Sequence, residues 1–136
     1  MKPELKVVLF EEKKILQELL RLLDDQHGVI LAKDVMSLEK LTEKLDHVGR
    51  NLASVEIKRR NLLEDDDFKT LMDNSDDEHM KSVYEEIKEI LKNLEIQKKV
   101  NDTLIKQQLF FTSKMINVIR PSKNIGTYNS YGKIGR

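Results

Sequence analysis

The chain contains no cysteine. That excludes a disulfide framework, a thiol nucleophile and a thiolate metal site, and it fits a reducing compartment. Tryptophan is also absent and aromatics make up only 5% of the residues. Net charge is zero, with 24 basic and 24 acidic side chains, so no global attraction to nucleic acid follows. No apolar run reaches the roughly 18 residues needed to span a bilayer. The opening MKPELKVVLFEEKK has too short an apolar core for a signal peptide, and acids follow at once. These absences predict a soluble intracellular protein without membrane insertion. What remains is a 136-residue chain, 35% charged and rich in Leu, Lys and Glu. That composition suits an extended helical bundle.

Three segments carry apolar residues at alternating steps of three and four, the period of helices packed lengthwise. The first opens with Pro3 in its first turn and runs through Leu5, Val8, Leu9, Leu16, Leu19 and Leu23 to about residue 33. A break at Gly28 is the main alternative. Asp34 is suited to cap a second helix, 35–63, whose seam is Leu38, Leu41, Leu45, Val48, Leu52 and Val55, with Arg59 at the next seam position. Residues 64–78 hold eight acids against one Lys, and Phe68, Leu71 and Met72 allow a short helical turn at 66–72. Ser75 and Glu78 have the spacing of a capping box, which predicts a third long helix over 76–119. Its seam runs Met80, Val83, Ile87, Ile90 and Leu94, is interrupted by Gln97, Asn101 and Gln108, and resumes with apolar residues up to Pro121. The expected fold is all-α: an elongated antiparallel three-helix bundle or coiled coil over 1–120, with a long C-terminal helix and a flexible tail over 121–136.

No enzyme chemistry is legible. His27, His47 and His79 are far apart and outside any recognised ligand spacing, and no phosphate-binding glycine loop or GxSxG setting occurs. The acidic stretch lacks the glycine and ligand order of a calcium loop. The expectation is a protein that is not an enzyme and has no metal and no cofactor. Beyond Asp102 the chain has no acid and carries Lys106, Lys114, Arg120, Lys123, Lys133 and Arg136, a charge of +6. Without stacking aromatics or a nucleic-acid motif, that charge complements the helix dipole or attracts an acidic protein, and no nucleic-acid partner is expected.

The first two helices, about 31 and 29 residues, cannot run alongside all of a third of about 44, which is roughly 65 Å long. About a dozen residues within 104–119 are left over, among them Leu104, Ile105, Leu109, Phe110, Phe111, Met115, Ile116 and Ile119. Apolar groups in that number mark a partner site, a fold-back of the tail, or dimerisation between two chains. The spacing does not choose among these.

Several motifs in this order resemble the FlgN family of flagellar export chaperones. They are the leucine-rich opening with Leu16, Leu19, Leu20 and Leu23; Asp34-x3-Leu38-x2-Leu41-x2-Lys44; Glu56-x2-Arg59 followed by Leu62 and Leu63; Asn101-x2-Leu104-Ile105; Phe110-Phe111; and Tyr131-Gly132, with Tyr128 as a rival. The tail departs from the family's commoner Tyr-Gly-x2-Gly run. The resemblance covers most of the chain. It implies a cytoplasmic chaperone that holds the disordered terminal segment of hook-associated (hook–filament junction) proteins and brings it to the flagellar export gate. By the same resemblance, cargo contacts fall on Asn101, Leu104, Ile105, Gln108, Phe111, Met115, Val118 and Ile119, and gate docking on Tyr128 or Tyr131. A monomer is the expected state, with a structural homodimer through the last helix, or a related helical secretion chaperone with other cargo, as the alternatives.

Overall fold

A computed structural model of the chain describes residues 2–64 and 67–119. The described residues are helical, without a strand, in the order α1 (Pro3–Ala32), α2 (Val35–Leu63), α3 (Phe68–Asp73) and α4 (Glu78–Ile119). The chain divides into two compact units, Met1–Lys98 and Lys99–Arg136.

In the first unit, α1 and α2 form a hairpin joined by two residues. Lys33 sits in the left-handed region (φ 59°, ψ 32°), which lets its amide and that of Asp34 reach back to the carbonyls of Ile30 and Val29. This is the reverse turn that closes a helix, adopted here by a lysine rather than the usual glycine. Asp34 then caps α2, its carboxylate accepting from the Ser37 amide at 3.1 Å and the Ser37 hydroxyl at 2.7 Å. These bonds hold the Asp34 carboxyl below its ordinary range. Helix α1 passes through Gly28 unbroken, and open space surrounds the position a Cβ would take there and at Gly49.

The third strut of this unit is the N-terminal part of α4, parallel to α1 and antiparallel to α2. Lys6 pairs with Asp77 at 3.0 Å, and Lys13, one helical repeat further along α1, pairs with Glu86. Between these helices Leu9 and Leu16 pack with Met80, Val83 and Ile87. Met72 of α3 joins the same cluster, and Phe68 packs against it. Thus α3 is a plug: six residues with two apolar side chains turned inward, closing one end of the three-helix unit.

The start of α4 differs from the expected capping box. Ser75 does not cap a helix at 76; its hydroxyl accepts from the Asp77 amide at 3.1 Å within a turn. Asp77 is the cap instead, its carboxylate accepting from the Met80 amide at 3.1 Å, and α4 begins at Glu78. Lys6 fixes that carboxylate from α1 and, with the Met80 amide, holds its pKa low.

Arg59 occupies its seam position because Glu12 faces it. Glu12 is 2% exposed, and the Arg59 guanidinium bonds both of its carboxylate oxygens. Burial pushes the Glu12 carboxyl above its ordinary value, Arg59 opposes the rise, and Glu56 adds to it. The guanidinium also lies 5.4 Å from the centre of the Phe68 ring, which stacks on Tyr84 at 5.0 Å. One ion pair therefore links α1 to α2 and continues through α3 to α4.

Two predictions follow from this packing. An acid whose folded-state pKa is raised contributes less to stability as pH climbs from the ordinary carboxylate range through the raised value. Arg59→Met removes the opposing cation and lifts Glu12 further. It should cost about 3 kcal/mol at pH 7, and that deficit should shrink as pH is lowered towards 5, read from urea midpoints. A deficit independent of pH would show that Arg59 acts through its contact with Phe68 alone. Separately, Gly28→Ala and Gly49→Ala should each raise stability by about 0.5–1 kcal/mol, since both sites are helical and open; a loss at either would contradict the helical path described.

Candidate functional site

The second unit is described from Lys99 to Ile119, the C-terminal half of α4. Exposure rises along it. Asn101 is fully buried, and no buried side-chain nitrogen or oxygen among the described residues lacks a hydrogen-bond partner. A satisfied buried Asn in a helical seam sets register. Leu104, Ile105 and Gln108 are half-buried. From Leu109 onward every residue to Ile119 is exposed. Val118 and Ile119 are 79% and 75% exposed, and Phe110 and Phe111 are 63% and 60%.

Of the residues that the family resemblance marks as contacts, the structure therefore presents Phe111, Met115, Val118 and Ile119 on the surface. Leu104, Ile105 and Gln108 lie at the edge of accessibility, and Asn101 lies inside. Phe111, Met115 and Val118 share one face through their spacing of four and three. Tyr128 and Tyr131 lie outside the described residues.

The site also contains features beyond those contacts. Leu109 and Ile116 are exposed and stand one helical repeat apart. Phe110 is on the other side of the helix, where Lys114 lies over its ring at 5.4 Å from the centroid. Such a cation–π contact is worth about 0.5–1 kcal/mol at an exposed position. Its signal in the sequence is the i, i+4 spacing of an aromatic and a lysine. No acidic side chain is present from Thr103 to Ile119, so Lys106 and Lys114 set the sign of the local potential.

The arrangement suits the binding of a helix. An apolar helix face of this size, rimmed by cations, is the form in which one helix receives another. His27 is half-buried, His47 is exposed, and His79 packs against Phe10 with ring centroids 5.6 Å apart; among the described residues no three of the His, Asp and Glu side chains are grouped to hold a metal ion. Among the described residues no helix is long and apolar enough to cross a membrane.

Comparison with curated proteins and with solved structures finds no match. A family model described as FlgN protein matches residues 1–135, almost the full length of the chain. The match spans the α1–α2 hairpin, the plug and the exposed half of α4 together, and the helical bundle agrees with it. The chain belongs to the FlgN family of flagellar export chaperones.

Proposed function

We propose that this chaperone works in the cytoplasm, binding the disordered terminal segment of hook-associated proteins on the C-terminal half of α4 and delivering them to the flagellar export gate. The observation that carries this reading is the unbroken exposure of residues 109–119 in a helix whose N-terminal portion is packed. The same three–four apolar pattern is buried at Met80, Val83 and Ile87 and open at Phe111, Met115 and Val118. A seam with the chemistry of a core and no cover among the described residues is a seam that awaits a partner helix.

Binding, without any catalytic step, is the whole activity on this reading. The cargo segment orders as it docks, and that cost of several kcal/mol keeps the complex reversible. Reversibility is what a carrier needs if it is to release its load. Met115 beside Phe111 gives the surface an adaptable side chain, suited to more than one related helix. In the tail, Tyr128 and Tyr131 are proposed for gate docking, separate from the cargo face.

Titration with the C-terminal segment of a hook–filament junction protein, followed residue by residue by NMR, tests this directly. Shifts should concentrate from about residue 101 onward; shifts centred on α1 and α2 would move the site. Phe111→Ala should weaken binding by more than about 1 kcal/mol with helicity unchanged. Equal loss of folding and binding would make Phe111 part of the core. Tyr128→Ala and Tyr131→Ala together should lower cargo export in cells and leave cargo affinity intact; lost affinity would place the tail in the cargo site.

A further inference from the structure

The exposed half of α4 is wider than one partner helix needs. Successive residues turn by about 100°, so Leu109 to Ile119 can be placed around the helix axis from their numbers alone. Phe111, Met115 and Val118 form one row. Leu109, Thr112 and Ile116 form a second, displaced by more than a third of a turn, with Ile119 between the two. Together the rows cover roughly 180°, against the ~100° stripe with which a helix faces a single packed neighbour. Both rows are exposed along this stretch. A single bound helix on either row leaves the other in water.

Charge narrows the choice of occupant. Lys106 borders the second row and Lys114 the first, and no acid lies between Thr103 and Ile119. The chain's own tail is a poor cover: residues 120–136 hold Arg120, Lys123, Lys133 and Arg136 and no acid. The same half-helix of a second copy brings the same lysines to the contact. The one strongly acidic stretch of the chain, residues 64–78, has its apolar side chains Phe68 and Met72 engaged in its own core. None of these supplies apolar and acidic groups on one free helix.

Resting on the proposed cargo role, we infer that the partner docks as two helices, one in each row, and that each carries acidic residues flanking its apolar stripe. The cargo segment folds over α4 as a helical hairpin, so that α4 becomes one member of a new three-helix unit. Lys106 and Lys114 then meet carboxylates at the two outer edges, and Phe110, on the remaining face under Lys114, stays outside the contact.

The test uses the full chain and the C-terminal segment of a hook–filament junction protein as the probe, with affinity measured at low salt and at about 0.5 M salt, where charge screening acts within a few ångströms. Val118→Asp reports on the first row and Ile116→Asp on the second. Both positions are exposed, and circular dichroism checks that helicity is kept. Each should weaken binding at least tenfold. Lys106→Glu and Lys114→Glu should each weaken it at least threefold at low salt, with the difference closing at high salt. Binding that survives Ile116→Asp unchanged overturns the two-helix occupant in favour of a single helix. Indifference to both charge reversals overturns the acidic partner. Self-association of the parent chain that Ile116→Asp abolishes assigns the second row to another copy and likewise overturns it. A parent chain that binds no cargo segment fails the proposed function itself, whereas a parent that binds with these variants unaffected fails only this inference.

Discussion

The carboxylate of Glu12 lies almost wholly out of water and is compensated by one guanidinium, that of Arg59, 47 residues further along the chain. Burying a charge is costly, and leaving one buried without its partner costs more. The pair therefore constrains the packing around it. Apolar contacts between α1 and α2 tolerate small slips, because one leucine serves nearly as well as another. The ion pair does not, since a displaced register leaves a carboxylate facing leucines. Arg59 extends the constraint to Phe68, and Phe68 to Tyr84, so the placement of α3 and the start of α4 depend on the same guanidinium. Around it the ion pairs Lys6–Asp77 and Lys13–Glu86 align α4 with α1 at the surface, where each contributes little alone.

The proposed function rests on a contrast within a single helix. In its first part, α4 supplies Met80, Val83 and Ile87 to a closed core. In its last part, residues of the same kind and spacing face solvent. Hydrophobic burial does not distinguish an internal neighbour from an external one, so on the proposed reading the exposed portion takes an amphipathic helix that fits it. Asn101, buried and satisfied, stands where the two parts meet in sequence.

Much of the fold was legible because its helices are long and their seams regular. The range 35–63 for α2 follows directly from the Asp34 cap and six seam residues in phase, and the passage of α1 through Gly28 from the phase of Val29 and Ile30. The start of α4 was misread for a physical reason. Ser75–Glu78 and Asp77–Met80 both offer a cap three residues ahead of its target, and local pattern does not rank them. Lys6, 71 residues earlier, anchors Asp77 and decides the matter. Glu12 likewise sits in phase with Leu5, Leu9 and Leu16, a charge on an apolar stripe. That oddity was visible, but the partner that explains it required the folded hairpin. At the site, the apolar content of 104–119 was plain from the sequence, whereas the gradient from buried Asn101 to open Phe111 depends on packing that no periodicity contains.

The smallest element has a consequence for how the molecule comes apart. Helix α3 has six residues, too few for helical bonding to hold it without its docked side chains. Its Met72 belongs to the same buried cluster as Leu9 and Leu16, and Phe68 is pinned beneath Arg59. Detaching that plug would uncover the end of the core and free the Arg59 guanidinium from its ring in one motion, while the long helices on either side remained formed. Within the three-helix unit, a local opening at α3 therefore costs less than unfolding α1 or α2. Amides of Phe68–Asp73 would exchange with solvent well before those of α1 and α2, and a protease would find a foothold there before it found one in either of those helices.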